Sequence, residues 1–212
     1  MDLLSDLLEK KQTIAKDAYL LKGFAHLNQT ALLADLAKVI EAAPLRNMVT
    51  PGGFTMSVAM TNCGEVGWVT DRKGYRYAEH DPISDEAWPK MPASFKQLAK
   101  QAASEAGFKH FNPDACLVNQ YKIGARMSLH QDKDEQDFSQ PIVSVSFGLH
   151  ATFLFGGFER ANKTNKHLLE NGDVVVWGGE SRLRFHGILP LKNGHHPELC
   201  DVRINLTFRK TD

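Results

Sequence analysis

Three side chains in this sequence are suited to binding one divalent metal ion. His130 and Asp132 are two positions apart, and alternate side chains of an extended segment point the same way, so both could take adjacent corners of one coordination sphere. His186 follows another predicted strand and could return beside them. Two histidines and one carboxylate suit non-haem Fe(II), and they also suit catalytic zinc. A surface His–Asp pair and a separate core histidine are the ordinary alternative.

A strictly alternating segment near the C-terminus supplies groups for an anionic ligand. Its apolar face carries Val202, Ile204, Leu206 and Phe208. Its polar face carries Arg203, Asn205, Thr207 and Arg209. Because arginine grips a carboxylate with two parallel N–H donors, this polar face suits a dicarboxylate, and Asn119 and Tyr121 on another predicted strand could contribute an amide and a phenol. The alternative is an ordinary half-buried strand whose polar face is solvated.

The elements that must position these residues are two helices followed by strands. Asn28 is predicted to begin a helix with apolar residues three and four apart, and Pro92 to Ala106 is predicted to form a second helix. Phe54 to Thr61 alternates as a strand does, and residues 62–90 are predicted to form a long ordered loop or a short hairpin.

After residue 114 the pattern is typical of short strands. They are predicted at 115–121, 142–147, 152–155, 167–170, 174–177, 183–186 and 202–209. Asn171-Gly172 predicts a hairpin between the fourth and fifth of them. This order of elements predicts an α+β protein, an antiparallel sandwich or barrel with helices packed outside it.

Composition excludes several classes of protein. The 212 residues suffice for one domain, and 25 Lys and Arg balance 25 Asp and Glu, so no overall positive field attracts nucleic acid or an anionic membrane. Three widely spaced cysteines without a CxxC motif indicate a reducing, cytoplasmic setting. The apolar stretches are too short to span a bilayer, and the acidic N-terminus is unlike a secretory signal.

The set His130-x-Asp132, His186 and Arg203-x-Asn205-x-Thr207-x-Arg209 resembles the AlkB family of Fe(II)/2-oxoglutarate dioxygenases. The resemblance extends through residues 48–53, 56–62, 113–117, 129–135 and 172–183. It implies a double-stranded β-helix (jelly roll) as the dioxygenase core at 91–212. It also implies a substrate-binding lid at 46–90 in the same domain and an N-terminal extension with a helix at 1–45.

The resemblance also implies the ligands of this site. Fe(II) is expected on His130, Asp132 and His186, with 2-oxoglutarate and O2 on the open face of the metal. The 2-oxoglutarate is expected to contact Asn119, Tyr121, Arg203, Asn205 and Arg209. The implied reaction demethylates N-alkylated bases such as 1-methyladenine and 3-methylcytosine in DNA or RNA, and it releases formaldehyde, succinate and CO2.

The implied partner is alkylated single-stranded DNA or RNA, or duplex DNA with the base flipped out, bound by a monomer. The substrate-binding residues are expected to be Trp68, Tyr75, Asp134, Arg160, Met60 and Thr50. Trp68 and His130 would sandwich the base, Tyr75 would contact its phosphate, and Asp134 would face the exocyclic amine of a cationic ring. The alternative without the resemblance is that Trp68 and Tyr75 anchor a loop and that Asp134 belongs to a solvated run of charged residues.

Three other functions stay open at this point. A dioxygenase of the same fold could hydroxylate a protein side chain or a small molecule. A zinc hydrolase could use the same three ligands, but it leaves the face with Arg203 and Arg209 unexplained. A catalytically silent nucleic-acid-binding module would have no need of the complete His–Asp–His set.

Overall fold

A computed structural model describes residues 10–212, so the first nine residues of the predicted N-terminal extension lie outside the described part. The two α-helices are α1 (Gln29–Ala42) and α2 (Ala93–Glu105). The strands are β1 (Lys11–Ala15), β2 (Ala18–Leu21), β3 (Arg46–Val49), β4 (Thr55–Gly64), β5 (Gly67–Asp71), β6 (Gly74–Ala78), β7 (Ala115–Lys122), β8 (Met127–His130), β9 (Ile142–Gly148), β10 (Ala151–Phe155), β11 (Asn165–Leu169), β12 (Val174–Trp177), β13 (His186–Ile188) and β14 (Val202–Arg209). Neither helix has the length and apolar content to cross a membrane within residues 10–212.

Two antiparallel sheets form the jelly roll. The large sheet has the order β1-β2-β12-β9-β14-β7-β4-β3, and the small sheet has the order β11-β10-β13-β8. One core cluster joins them, with Tyr121 and Trp177 from the large sheet and Phe153 and Ile188 from the small one. The predicted α+β jelly roll is therefore confirmed, and its two sheets enclose a shared interior.

The helices cover the other face of the large sheet. Leu32 of α1 and Phe95 of α2 pack with Val145 and Phe208 in a second core cluster, and the rings of Phe95 and Phe208 meet edge to face at 6.0 Å. Strand β14 is consequently buried on both faces, and Arg203 on its polar face is only 1% exposed. The interpretation of a solvated polar face is wrong, because the small sheet lies over that face.

Residues 67–78 form a two-stranded hairpin, β5 and β6, which we call the recognition hairpin after the predicted substrate-binding residues Trp68 and Tyr75 that it carries. The Asn62 side chain holds its first strand, since Asn62 Nδ2 donates to the Trp68 carbonyl and Asn62 Oδ1 accepts from the Trp68 N–H, both at 3.0 Å. A Cβ atom on Gly67 would lie 2.5 Å from the Trp88 ring, so this close approach requires glycine. Of the two predictions for residues 62–90, the short hairpin is confirmed.

The Asn171-Gly172 turn does not make the predicted hairpin. The strand before it, β11, pairs with β10 in the small sheet, whereas β12 after it pairs with β9 and β2 in the large sheet. Asn171 Oδ1 accepts from the Gly148 N–H at 2.9 Å, and the Gly172 N–H donates to the Ser146 carbonyl at 2.8 Å. The turn is thus tied to β9 and carries the chain from one sheet to the other.

Other predicted boundaries also differ from the structure. The strand predicted at 183–186 begins only at His186, because Arg182 and Leu183 lie in a turn before it. Strands β1, β2 and β3 were not predicted, and β1 and β2 bring the N-terminal region into the edge of the large sheet. Phe54, the first residue of the strand predicted at 54–61, precedes β4 and is 77% exposed.

Candidate active site

The three predicted metal ligands meet where the small sheet faces β14. His130 of β8 and His186 of β13 are register partners, and Asp132 follows directly after β8. His130 Nε2 lies 3.6 Å from Asp132 Oδ1, and His186 Nε2 lies 3.8 Å from Asp132 Oδ2. One donor atom from each residue falls within 4.8 Å of the others, so these residues could hold one metal ion.

Backbone carbonyls orient both imidazoles. His130 Nδ1 donates to the Ser128 carbonyl at 2.9 Å, and His186 Nδ1 donates to the Arg184 carbonyl at 3.0 Å. Each Nε2 is left with a lone pair directed at the shared site, as in most histidine-bound metal centres. Burial, reinforced by His130, lowers the pKa of His186 to about 4, so this ring is neutral at pH 7 and ready to bind a metal.

Two arginines hold the carboxylate ligand. Arg209 donates to Asp132 Oδ2 from Nε at 3.1 Å and from Nη2 at 2.8 Å, and Arg182 Nη1 donates to the Asp132 carbonyl at 2.6 Å. Burial alone would raise the pKa of Asp132, but Arg209 and the two histidines outweigh burial and hold this pKa well below its ordinary value. Asp132 is therefore a carboxylate whose Oδ1 faces His130, while its Oδ2 faces His186 and accepts from Arg209.

Arg203 lies in the same cavity with unused donors. Its Nη2 donates to Ser146 Oγ at 2.9 Å, and its guanidinium carbon lies 4.9 Å from the centre of the Tyr121 ring. Its Nε and Nη1 are buried without a hydrogen-bond partner among residues 10–212. Burial lowers the pKa of Arg203, although Tyr121 opposes this. Because unpaired buried donors are costly, this guanidinium fits a ligand carboxylate such as that of 2-oxoglutarate.

Two asparagines line the wall between Arg203 and the metal ligands. Asn205 Nδ2 donates to Ser144 Oγ at 2.8 Å and to the Val145 carbonyl at 2.9 Å, while its Oδ1 accepts from Thr207 Oγ1 at 2.9 Å and from Asn119 Nδ2 at 3.3 Å. These bonds fix both amides. The cavity is lined by all three metal-ligand candidates and by the five residues predicted for 2-oxoglutarate, His130, Asp132, His186, Asn119, Tyr121, Arg203, Asn205 and Arg209.

Arg209 has a different environment from Arg203. Its Nε and Nη2 donate to Asp132, and its Nε lies 3.3 Å from Glu135 Oε1 in an ion pair. Burial lowers the pKa of Arg209, but Asp132 and the neighbouring oxygens raise it further, so it stays charged. In this structure Arg209 therefore orients a candidate metal ligand, whereas Arg203 keeps two donors that could bind a carboxylate.

The residues predicted to contact substrate fall into two groups. Trp68 and Tyr75 of the recognition hairpin stack with ring centres 5.7 Å apart, and Trp68 Nε1 donates to Asp134 Oδ2 at 2.8 Å. The exposed Arg160 donates to the Leu129 carbonyl, next to His130. Tyr75, Asp134 and Arg160 are exposed, and Trp68 is half-buried.

The structure places the other two differently. Thr50 Oγ1 accepts from the Phe54 N–H at 3.2 Å and so closes the turn between β3 and β4. Met60 is fully buried in the core cluster that joins the two sheets.

Several residues of the site had no assigned role in the sequence prediction. Ser144 and Ser146 lie on one alternating face of β9, and this polar face could have been matched to that of β14. Tyr77, Glu135 and Arg182 are distant along the chain from their partners. No local pattern distinguishes those three from surface residues.

Two histidines and one carboxylate that leave part of the metal's coordination sphere open, beside a buried arginine with unused donors, are what an oxygenase that uses Fe(II) and 2-oxoglutarate requires. Residues 17–209 match the model of the 2OG-Fe(II) oxygenase superfamily. The chain is 54% identical over 210 residues to the Alpha-ketoglutarate-dependent dioxygenase AlkB of Escherichia coli (strain K12), with 99% of this chain and 97% of that protein covered. The chain therefore belongs to the AlkB family, whose cofactor is Fe(II) and whose co-substrates are 2-oxoglutarate and O2.

Two further relatives agree with this assignment. The Nucleic acid dioxygenase ALKBH1 of Mus musculus is 34% identical over 122 residues, which are 57% of this chain and 31% of that protein. A solved structure described as the structure of OsALKBH1 superposes with a TM-score of 0.82 at 29% identity, covering 94% of this chain and 99% of the other. The likeness thus extends to the whole arrangement of sheets.

Proposed function

We propose that this dioxygenase demethylates N-alkylated bases in DNA or RNA, with 1-methyladenine and 3-methylcytosine as substrates. One observation carries the proposal. Trp68 and Tyr75 form a stacked aromatic pair, and Trp68 donates a hydrogen bond to the Asp134 carboxylate. Asp134 lies two residues beyond the candidate metal ligand Asp132. Flat aromatic faces and a carboxylate together suit a flat, cationic base. The name of the mouse relative, a nucleic acid dioxygenase, supports the same substrate class.

Each group of side chains has a task in this reaction. We assign His130, Asp132 and His186 to the metal, Arg203 with Tyr121 to the far carboxylate of 2-oxoglutarate, and Asn119 and Asn205 to its metal-binding end. When bound, Fe(II) with 2-oxoglutarate and O2 supplies the oxidising power that hydroxylates the methyl group, after which formaldehyde leaves the base. The chain's own contribution is to orient the reactants and to keep water from a buried cavity.

Recognition of the base occurs at the exposed edge of the cavity. His130 is the most exposed of the three candidate ligands, so the base can stack between its ring and Trp68. We assign Tyr75 and Arg160 to the phosphate backbone, and Thr50, which closes the turn between β3 and β4, to the substrate-binding segment. Asp134 faces the exocyclic amine and favours the positively charged ring of an N-methylated base.

The form of the substrate follows from access and charge. A base in a duplex cannot reach a cavity between two sheets, so the substrate is a single strand or a base flipped out of duplex DNA. With 25 basic and 25 acidic residues, the chain makes few phosphate contacts, and its affinity depends weakly on salt. We also propose that it acts as a monomer in the cytoplasm, which suits its three unpaired cysteines.

Formaldehyde release from a short single-stranded oligonucleotide containing one 1-methyladenine tests this function. We expect formaldehyde and succinate in equal amounts with Fe(II), ascorbate and 2-oxoglutarate, and none with the unmethylated oligonucleotide. A protein that binds Fe(II) and 2-oxoglutarate but releases no formaldehyde contradicts the proposal. Activity without O2 and 2-oxoglutarate would instead identify a zinc hydrolase.

Asp134→Asn should reduce activity selectively on cationic lesions. Asparagine keeps an oxygen that accepts from Trp68 Nε1 but removes the negative charge next to the base. We expect kcat/KM for 1-methyladenine to fall about tenfold, as expected when a hydrogen bond loses its charge. We expect a much smaller change for the neutral lesion 3-methylthymine.

Asp137→Asn, in the same acidic run, is the matched control for loss of one charge. Equal losses on both lesions would show that Asp134 orients Trp68 and does not recognise the ring charge. Fe(II) titration of each variant checks that the metal site is intact.

A further inference from the structure

Glu135 is a buried carboxylate that the reaction above does not use. It is 5% exposed, its oxygens accept hydrogen bonds from Tyr77 and Arg182, and it also forms an ion pair with Arg209. Tyr77 Oη lies 2.5 Å and Arg209 Nε 3.3 Å from Oε1, and Arg182 Nη2 lies 2.9 Å from Oε2. A buried carboxylate needs such partners, but these three come from the recognition hairpin, β14 and the turn before β13.

The same two arginines hold Asp132. Arg209 donates to the Asp132 carboxylate and Arg182 to its carbonyl. The two carboxylates and two guanidiniums balance in charge, and every member has a partner of opposite sign. Glu135 therefore fixes the two side chains that position a candidate metal ligand.

Tyr77 connects this network to the recognition hairpin. It lies opposite Trp68 in the β5–β6 register and two positions after Tyr75, so all three side chains project from one face of the hairpin. Tyr75 is half exposed, whereas the Tyr77 hydroxyl reaches Glu135. Strand β6 thus carries Tyr75, which is assigned to the substrate, and Tyr77, which bonds to the metal-binding segment.

Within residues 10–212, two side-chain hydrogen bonds join the hairpin to the segment 132–135: Trp68 to Asp134 and Tyr77 to Glu135. The first is accessible, and a base whose amine takes Asp134 competes with Trp68 for it. The second is partly buried and involves no predicted substrate contact, so we expect it to stay intact when substrate enters. The hairpin therefore needs the second bond to keep its place during binding.

We propose that Tyr77 and Glu135 form a latch that holds the recognition hairpin against the metal-binding segment, so that both are positioning residues for the substrate. This inference rests on the proposed function, because it gives the hairpin the task of binding the base. It links substrate affinity to one hydroxyl that touches neither base, co-substrate nor metal.

Tyr77→Phe removes that hydroxyl and little else. We expect KM for the 1-methyladenine oligonucleotide to rise about tenfold, with kcat within about twofold and KM for 2-oxoglutarate unchanged, because a hydrogen bond to a charged acceptor is lost. We expect backbone amides of residues 67–78 to exchange with deuterium about tenfold faster than in the unmodified protein. A merely structural defect would reduce the active fraction and hence kcat, leaving KM unchanged.

Tyr19→Phe on β2, far from the site, is the matched control and should change neither KM nor exchange in residues 67–78. Glu135→Gln is the second variant. It should also accelerate exchange in residues 67–78, and it should weaken Fe(II) binding measured by titration, since Arg182 and Arg209 lose a charged partner.

The exchange measurement needs no substrate, so it separates the two proposals. If the protein releases no formaldehyde but Tyr77→Phe accelerates exchange in residues 67–78, the latch stands and the proposed function is wrong. Exchange equal to that of the unmodified protein in both variants overturns the latch. An unchanged oligonucleotide KM in active Tyr77→Phe enzyme likewise overturns the positioning role.

Discussion

Replacement of Asp132 by asparagine is expected to lower turnover below detection and to weaken Fe(II) binding by more than about 100-fold, since even the loss of a residue that only orients a ligand costs 10–100-fold. Asparagine keeps the size of the side chain and an oxygen that accepts from Arg209, so the protein should still fold. What it loses is the negative charge that two neutral imidazoles cannot supply to a divalent cation.

Fe(II) titration under nitrogen and succinate formation measure the two effects separately. Asp114→Asn is the matched control, because Asp114 is also buried and pairs with Lys210 outside the cavity. This control should bind Fe(II) as the unmodified protein does. An Asp132→Asn protein with unchanged Fe(II) affinity would show that Asp132 is not a ligand.

Arg203→Met is expected to raise KM for 2-oxoglutarate on the order of 100-fold, because a buried carboxylate then lacks its charged partner. Fe(II) binding should not change, since Arg203 has no bond to the three candidate ligands. In Arg203→Lys, KM for 2-oxoglutarate should lie between that of the unmodified protein and that of Arg203→Met, because lysine keeps the charge but not the paired donors.

Thermal unfolding provides a second measurement of the same residue. Saturating 2-oxoglutarate with Fe(II) should raise Tm of the unmodified protein, because a ligand that binds only the folded state stabilises it. Arg203→Met should show little of this rise. Without ligand, Tm of Arg203→Met should be at least that of the unmodified protein, because the substitution removes two buried donors that have no partners. A normal KM for 2-oxoglutarate would exclude Arg203 as the carboxylate-binding residue.

Local spacing predicted much of the molecule. The three- and four-residue spacing placed α1 and α2 within one or two residues of their ends, and the period of two placed β7, β9 and β14. The same period put Arg203 and Arg209 on one face of β14 and the four apolar residues on the other face. The turn signal at Asn171-Gly172 marked the start of β12. These features depend on near neighbours in the chain, which a sequence displays directly.

The choice of which faces meet was not predictable from spacing. The Asn171-Gly172 turn has the composition of a hairpin, yet β11 pairs with β10 in the small sheet and β12 pairs with β9 in the large sheet. The polar face of β14 looked solvated, and only the small sheet lying over it shows that Arg203 is buried without a partner.

By itself, then, the sequence determined the kinds of side chain available for a metal and a dicarboxylate, and the strand faces that carry them. Only the tertiary structure brought His186 into register with His130, and only there did Tyr77, Arg182 and Arg209 converge on Glu135. The physical reason is range: the direction of a side chain is set by its neighbours in the chain, whereas its partners are set by the packing of segments far apart in the sequence.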